Sequence, residues 1–299
     1  MSPLLLLRYR LEYFALRAII EFVRLFPLDM AVAISARTWR VLAPRGRRHR
    51  RALDNLARAY PEKTPEEREQ IALDMWANLG RVMAETMQLD RLLKQPERIE
   101  NRTEYVLKRY KSKMGPAICV SLHTGNWELS MWPMARAGTK PAAVYRLVKN
   151  PFVDLYLRSM RTELYPGGLF AKGKMKGNLA GHDTARMIGS YLRQGGRLGF
   201  LCDLYEKKGI DVPFFGHPAP STPFPAMLAR RLGARMWMGR CVRKDNKCQF
   251  AVEIKELKVP RTDDPQEDVR VITAAMHKQF EEWIREYPEQ WMWSNRRWS

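Results

Sequence analysis

The sequence has 299 residues, 45% of them hydrophobic, so it is long enough to bury one sizeable core and is expected to form a single domain. Its formal net charge of +20 predicts contact with an acidic partner: nucleic acid, anionic lipid or an acidic protein. The four cysteines form no CxxC pair and lie mostly in apolar runs, which argues against a disulfide framework and predicts buried, reduced thiols in a protein with a cytosolic catalytic face.

The segment of residues 1–27 is predicted to be an amphipathic helix. Its sequence, MSPLLLLRYRLEYFALRAIIEFVRLFP, lacks the roughly 18 uncharged residues of a confident membrane span and is followed by no small-residue cleavage site. On a helix, Arg10, Arg17, Glu21 and Arg24 fall on one stripe, and apolar side chains cover most of the remaining surface. We therefore expect this helix to associate with a membrane, lying in the interface or inserting as a short anchor; packing against the core is the alternative.

A second helical segment, Asp29 to Leu42, ends before Pro44 and the basic run RGRRHRR. This run, Arg45 to Arg51, is interpreted as a solvated basic loop, or as a contact for phosphorylated lipid beside the membrane-seeking helix. Nucleic-acid binding is disfavoured because no aromatic-interleaved binding motif accompanies the arginines.

Further along the chain, short apolar runs alternate with helical segments, a pattern that predicts an α/β fold. The predicted strands are Ala117 to Leu122, Ala142 to Arg146, Arg197 to Cys202, Arg235 to Val242 and Phe250 to Ile254. Between Ser221 and Gly233, a cap, a proline and a terminating glycine enclose one helix. We expect residues 28–299 to form one domain whose central, mostly parallel or mixed sheet is flanked by helices on both faces.

The motif HTGNWE places His123 at the end of the first predicted strand and Glu128 five residues later. Ligands of open α/β sheets gather beyond the carboxyl ends of strands, so His123 is a candidate general base. Glu128 is a candidate for the carboxylate that orients it, although a helix capped by Asn126 would hold the same glutamate in its first turn for structural reasons alone. The chain has no GxSxG, GxxxxGK[ST] or HExxH motif. The set His123, Glu128 and Asp203 has no recognised metal-ligand spacing, so no metal is predicted.

Five blocks follow one another in the chain: HTGNWE, VYRLVKNP (Val144 to Pro151), LCD (Leu201 to Asp203), VPFFGHPAPSTPFPAMLAR (Val212 to Arg230) and PEQWMWSNRRW (Pro288 to Trp298). In this order they resemble the lipid A biosynthesis (lauroyl and myristoyl) acyltransferase family of Gram-negative bacteria, within the lysophospholipid acyltransferase-like superfamily. The resemblance implies a glycerolipid acyltransferase-like fold at the cytoplasmic face of the inner membrane. It also implies transfer of a fatty acyl group from acyl carrier protein, or from coenzyme A, to a hydroxyl of a 3-hydroxyacyl chain on a lipid A precursor, with no further cofactor.

The resemblance assigns the general base to His123 and the orienting carboxylate to Glu128. The candidates for an oxyanion donor or a further orienting group are Gly125, Asn126, Arg146, Arg161 and Asp203. Family members usually follow the aspartate with glutamine, whereas this chain has Leu204, which cannot form the corresponding hydrogen bond.

The high positive charge is expected to contact acyl carrier protein, the anionic glycolipid and the membrane surface. The candidate contacts are Arg45, Arg47, Arg48, Arg50, Arg51, Lys172, Lys174, Lys176, Arg296 and Arg297. The candidates for lining an acyl groove are Trp127, Met131, Trp132, Phe214 and Phe215, each of which is otherwise a core residue. Two alternatives stay open: an acyltransferase for another glycolipid, such as a phosphatidylinositol mannoside, and a catalytically silent lipid- or carrier-binding protein.

Overall fold

The computed structural model describes residues 2–103, 115–172 and 181–299, without the side chains of residues 181 and 182. Its described helices are α1 (Pro3–Arg24), α2 (Leu28–Leu42), α3 (Arg47–Ala59), α4 (Pro65–Met87), α5 (Leu89–Leu93), α6 (Trp132–Arg136), α7 (Pro151–Ser159), α8 (Gly181–Arg193), α9 (Phe224–Leu232) and α10 (Pro265–Glu286). Short 3-10 helices at Trp127–Met131 and Pro288–Gln290 flank the site described below.

The described strands are β1 (Ile99–Asn101), β2 (Ala117–Ser121), β3 (Ala142–Arg146), β4 (Gly168–Lys172), β5 (Arg197–Leu201), β6 (Ile210–Phe214), β7 (His217–Ser221), β8 (Arg235–Arg243) and β9 (Phe250–Leu257). Seven of them form one sheet in the order β1-β9-β8-β2-β5-β3-β4, and β6 and β7 form a separate antiparallel hairpin. Within the large sheet only β8 and β9 pair antiparallel. The predicted mixed, mostly parallel sheet is confirmed, and its carboxyl edge gathers the ends of β8, β2, β5, β3 and β4.

Both faces of the sheet are covered by apolar packing. Along β2, Ile118 and Val120 join one buried cluster with residues of α3, α4, α9 and α10, whereas Ala117 and Cys119 join another with residues of α2 and α5. This alternation is the strand period of two, and it explains why β2 reads as a continuous apolar run. The four cysteines are buried free thiols, as predicted.

Helices α1 and α2 carry large apolar side chains on their outer surfaces, which we call the apolar ridge. It consists of Leu4, Leu7, Leu11, Phe14, Ile19, Phe22, Leu25, Met30, Ile34, Val41 and Leu42, each at least 43% exposed. On the opposite side of α1, Ile20 is buried, and Arg24 forms a bidentate ion pair with Asp90. Among the described residues, no helix combines the length and low charge density needed to cross a bilayer.

The basic run differs from the expected loop, because Arg47–Arg51 form the first turns of α3. The helix is amphipathic, with Ala52 and Leu56 buried against the first core cluster. His49 also faces inward, where its Nδ1 accepts a hydrogen bond from Trp76. Burial of one helix face therefore stabilises a helix here, and leaves most of the arginines on the exposed face.

Candidate active site

His123 lies at the carboxyl edge of the sheet, two residues after β2, where Asp203 reaches it from the end of β5. Its Nδ1 is 2.8 Å from Oδ1 of Asp203, and its backbone amide donates to Oδ2 of the same carboxylate at 2.9 Å. The contact follows from the sheet register, which pairs Ser121 of β2 with Leu201 of β5. Trp291 adds a third hydrogen bond, from its indole Nε1 to Oδ2 at 2.7 Å.

The Asp203 carboxylate is fully buried and remains ionised. Burial alone raises its pKa, but the charge of His123 and the hydrogen bonds from His123 and Trp291 outweigh that effect and hold the pKa below its ordinary value. An ionised carboxylate on Nδ1 favours the tautomer with the proton on that nitrogen. Nε2 of His123 is then left as the basic nitrogen, on a side chain that is 14% exposed.

Glu128 lies on the 3-10 helix that begins within the motif, but its partner is Arg161 rather than His123. Its two carboxylate oxygens accept hydrogen bonds from Nε and Nη2 of Arg161 at 2.7 and 2.6 Å. The charge of Glu128 acts on Tyr165 of the second core cluster, whereas Trp127, whose ring centre is 5.2 Å from that of His123, packs against the first. The expected contact from Glu128 to His123 is therefore replaced by the contact with Asp203. The catalytic role of Glu128 stays a prediction.

The turn between His123 and Glu128 rests on a buried polar network. Glu85 and Arg243 form a bidentate ion pair at 2.5 and 2.8 Å, with side chains at most 1% exposed. Glu85 also accepts a hydrogen bond from Asn126 at 2.9 Å, and Asn78 links Arg243 to the carbonyl of Gly125. Such a pair holds its neighbours firmly, because loss of one partner leaves an uncompensated buried charge.

Gly125 is required by this turn. Its φ is +55°, and a Cβ at this position would overlap the carbonyl oxygen of Cys241 on the neighbouring strand β8. Its amide already donates to the carbonyl of Gln290 at 3.2 Å, and the amide of Asn126 faces the Cys241 thiol. The two backbone amides expected to hold an oxyanion are thus directed into the protein. The side chain of Asn126 caps the 3-10 helix, as predicted, by accepting from the amide of Glu128.

The C-terminal block supplies residues that the sequence did not single out. Besides the indole of Trp291, the amide of Met292 donates to the carbonyl of His123 at 3.1 Å, and Gln290 bonds both backbone groups of Arg243. A tryptophan-rich segment at the end of a chain is an ordinary packing signal. Nothing in its spacing indicates contact with a carboxylate 88 positions away.

Nine of the ten candidate basic contacts fall into three groups. Arg45, Arg47, Arg48, Arg50 and Arg51 lie on the surface around the start of α3. Arg146, a candidate oxyanion donor, does not belong to these groups and is exposed at the end of β3. Lys172 pairs with Glu206 at 2.6 Å, and Arg296 stacks on Tyr205 at 4.1 Å, while Lys174 and Lys176 lie outside the described residues.

Arg297 is a correction to the predicted partner contacts. It is fully buried, with Nη2 donating to the Ser221 hydroxyl at 2.7 Å and its guanidinium above the ring of Phe214 at 4.6 Å. Burial lowers its pKa to about 10. It packs the C-terminal block against the β6–β7 hairpin and cannot reach a docked protein.

The residues proposed to line one acyl groove lie on opposite faces of the sheet. Met131 and Trp132 belong to the second core cluster, whereas Phe214 and Phe215 belong to the first. The two phenylalanines pack with Trp291, Trp293 and Trp298 because the β6–β7 hairpin folds over α10 and the C-terminal block. The single groove is therefore wrong, and only Trp127, half-buried beside His123, lies at the site.

The buried thiols beside the site are not activated as nucleophiles. Burial raises the pKa of the Cys119 and Cys241 thiols to about 12, which makes them poor nucleophiles. Within residues 2–103, 115–172 and 181–299, no group of three or more His, Cys, Asp or Glu side chains is placed to hold a metal ion. The arrangement offers instead a histidine base held by a buried carboxylate, next to an arginine held by a buried glutamate.

Comparison with known proteins extends these observations. Residues 2–299 match the model of the bacterial lipid A biosynthesis acyltransferase family. The palmitoleoyltransferase of lipid A biosynthesis from Escherichia coli (strain K12) is 26% identical over 300 residues, covering 97% of this chain and 91% of the relative. The corresponding myristoyltransferase is 24% identical over 252 residues, covering 82% and 73%.

A relative named for another glycolipid matches comparably. The phosphatidylinositol mannoside acyltransferase of Mycobacterium tuberculosis (strain CDC 1551 / Oshkosh) is 25% identical over 214 residues, which cover 69% of this chain and 61% of that relative's length. The relatives support the predicted enzyme class, an acyltransferase, and the family resemblance seen in the sequence is confirmed. Because the match runs through every element that builds the site, from α1 to the tryptophan-rich C-terminal block, this chain belongs to the bacterial lipid A biosynthesis acyltransferase family.

Proposed function

We propose that this protein transfers a fatty acyl group from the thioester of acyl carrier protein to a hydroxyl of a 3-hydroxyacyl chain on a lipid A precursor. The observation that carries the proposal is the contact of His123 Nδ1 with the buried, ionised Asp203, which directs the basic nitrogen Nε2 away from the carboxylate. Family membership supports the reaction class.

The chemistry requires one base and no covalent intermediate. Nε2 of His123 takes the proton of the acceptor hydroxyl as its oxygen attacks the thioester carbonyl. Asp203 stabilises the imidazolium that forms. The carbon–sulfur bond then breaks, and the imidazolium returns the proton to the leaving thiolate, so the ester and the free carrier thiol are the products.

The pair of Glu128 and Arg161 has a separate role in this proposal. Glu128 holds the guanidinium through Nε and Nη2, while Nη1 is engaged, among the residues that the structure describes, only by a long contact of 3.4 Å with the carbonyl of Leu157. Arg161 thus keeps a donor for the oxyanion of the tetrahedral intermediate or for a phosphate of the acceptor. Glu128 acts through Arg161 by fixing its orientation, and Arg146 is a second cation at the same sheet edge.

The surface supports a location at the cytoplasmic face of the inner membrane. The apolar ridge offers side chains that gain free energy when they leave water for the bilayer interface. The arginines of α3 follow the ridge and would attract anionic lipid and acidic acyl carrier protein, making activity sensitive to salt. Coenzyme A thioesters are a second donor class that the same chemistry accepts.

Another acceptor is favoured by one observation, the comparable identity to a phosphatidylinositol mannoside acyltransferase. A catalytically silent binding protein is the remaining alternative. One assay distinguishes the proposed function from these two alternatives. Acyl carrier protein that carries a radiolabelled acyl group is incubated in detergent with the enzyme and either lipid A precursor or mannoside lipid, and the label in the lipid is measured.

The variants His123→Ala, Asp203→Asn and Glu128→Ala are compared with His217→Ala, an exposed histidine of the β6–β7 hairpin, as control. The proposal expects transfer to lipid A precursor by the wild type and control, and a loss of about a hundredfold or more in the His123 variant. Transfer to the mannoside lipid alone would reassign the acceptor. An inactive wild type across donors and acceptors, or an active His123 variant, would remove the proposed mechanism.

A further inference from the structure

Apart from the candidate active site, a cleft lies between α2, α4 and the turn that joins β8 to β9. Its volume is about 670 Å³, and its walls include Val32, Ala36, Arg37, Arg81, Arg98 and Lys247. None of its lining residues belongs to the His123 and Asp203 pair or to the Glu128 and Arg161 pair. The cleft therefore has to be explained separately from the catalytic site.

The cleft contains more positive than negative charge. Its two acids are Asp29, which is neutralised by a bidentate pair with Arg98 at 2.7 and 2.9 Å, and the exposed Glu97. The side chains of Arg37, Arg81 and Lys247 form no hydrogen bond or ion pair with any residue that the structure describes. Three cations thus converge on a concave surface with no salt-bridge partner among the described residues, and the charges of Glu85 and Asp74 act on Arg81 only from a distance.

Arg81 carries the strongest indication of a ligand. It is half-buried on α4, and burial, together with the neighbouring charge of Arg243, lowers its pKa by more than the charges of Glu85 and Asp74 raise it. A desolvated guanidinium beside a second cation is unfavourable until an anion offsets it. Its fork of donors matches the oxygens of a phosphate, and Lys247 adds a point charge from the facing turn.

We propose that this cleft binds the phosphate of an anionic phospholipid headgroup. The lipid source is favoured by the construction of α2: Ala33 and Arg37 line the cleft, whereas Met30 and Ile34, on average about 60° further around the helix, belong to the apolar ridge. A phosphate held by Arg37 and Arg81 leaves its acyl chains beside that ridge. The cleft would fix the depth and orientation of the enzyme at the membrane.

The test uses the full chain in non-ionic detergent and isothermal titration with dihexanoyl phosphatidylglycerol below its micelle concentration. We expect saturable binding at one site by the wild type, and binding at least about tenfold weaker to a double variant, Arg81→Gln with Lys247→Gln. Lys278→Gln, an exposed lysine on α10, removes one charge elsewhere and should bind like the wild type. Neutralising Arg81 removes its repulsion from Arg243 together with its weaker attraction to Glu85, so the double variant is expected to keep its melting temperature.

Two further ligands test whether the cleft requires an anionic headgroup and whether it requires a lipid. Dihexanoyl phosphatidylcholine should bind at least about tenfold more weakly, because its choline cation meets the same arginines. Glycerol 3-phosphate that binds as tightly as the lipid would overturn the lipid as occupant, and unchanged binding by the double variant would overturn the site. His123→Ala should bind phosphatidylglycerol normally. The headgroup site and the acyl-transfer mechanism can therefore fail independently.

Discussion

Asp203 Oδ1 lies 2.8 Å from Nδ1 of His123, although the two residues are 80 positions apart in the chain. The pairing of β2 with β5 brings them together, and Trp291 holds the same carboxylate from a third segment. The imidazole of His123 is thus oriented by the sheet itself rather than by its own turn. Asp203 resembles the orienting acid of other acyl transfer sites that use a histidine only in the role proposed for it.

Asp203→Asn is expected to lower kcat by about a hundredfold or more with little change in KM. An amide has no charge to stabilise the imidazolium and can donate to Nδ1, which favours the wrong tautomer. Steady-state acyl transfer with both substrates varied separates kcat from KM. Trp291→Phe, which removes one of three hydrogen bonds to the carboxylate, should give a smaller loss, and equal losses in both variants would point to general misfolding of the site.

Glu128 and Arg161 are expected to act as a unit. Removing either partner leaves a largely buried charge unpaired, so Glu128→Gln and Arg161→Gln should each lower the free energy of unfolding by about 3 kcal/mol or more. The double variant should lose less than the sum of the two, in stability and in kcat. Urea unfolding and acyl transfer measured on the four proteins of the cycle test this coupling. Additive effects would mean that Glu128 acts without Arg161.

Gly125→Ala should disrupt the turn that carries His123. The substitution strains a positive φ and forces the new methyl group into the carbonyl of Cys241. Gly138→Ala is the matched control, since Gly138 also has a positive φ, of +72°, but open space around its Cβ position. We expect loss of most acyl transfer in the first variant and near-normal activity in the second. A similar loss of activity in both variants would mean that the positive φ alone, and not the overlap with Cys241, causes the effect.

His277 is expected to make the protein acid-sensitive. Burial, reinforced by the charge of Arg297, lowers its pKa to about 3, whereas the unfolded chain has an ordinary histidine pKa of about 6.5. Below pH 6.5 the His277 imidazole binds a proton in the unfolded state, whereas the folded state excludes that proton. His277 should therefore cost about 2 kcal/mol of stability between pH 8 and pH 5, with the loss continuing down to about pH 3.

The comparison that isolates this residue is His277→Gln, unfolded in urea at pH 8 and at pH 5. Carboxylates contribute to the pH dependence of both proteins, so the difference between the two slopes belongs to His277. A variant with the same slope as the wild type would show that the imidazole is protonated in the folded state.

The apolar ridge is expected to govern membrane binding. Phe14→Glu with Phe22→Glu should release the protein from vesicles in a flotation assay, because both side chains are more than half exposed on α1 and would otherwise enter the interface. Val271→Glu, an exposed apolar residue on α10, serves as control and should float like the wild type. Equal flotation of the α1 variant would indicate that another surface carries the protein.

Five of the seven strands of the large sheet were located from the sequence, whereas its two edge strands, β1 and β4, and the separate β6–β7 hairpin were not predicted. Every predicted strand begins at the expected residue, because buried parallel strands are continuous apolar runs. The β6–β7 hairpin was missed since Pro213 and Pro218 lie within its strands, where proline normally argues against pairing. That hairpin carries Phe214 and Phe215 to the face opposite Met131, which is why the single groove failed.

The candidate site shows the same distinction between features that a local pattern predicts and features that depend on long-range contacts. The position of His123 at a strand end depends on local pattern and was predictable. The partners of its ring and of Glu128 depend on which strands are neighbours and on the direction of one 3-10 turn, and a spacing of five residues does not determine either. Arg297 shows the converse problem: a basic pair near a terminus indicates a surface, yet its guanidinium lies against Phe214.

The C-terminal block has a consequence for biosynthesis. Gln290 supports the turn after His123, Trp291 holds Asp203, and the amide of Met292 anchors the carbonyl of His123 itself. A nascent chain lacks these contacts until residues 290–292 have left the ribosome, which is after every strand of the sheet has been made. The candidate site is therefore completed later than the sheet that carries it, and a protease that removes Pro288 to Trp298 would silence the enzyme while leaving the sheet's strands uncut.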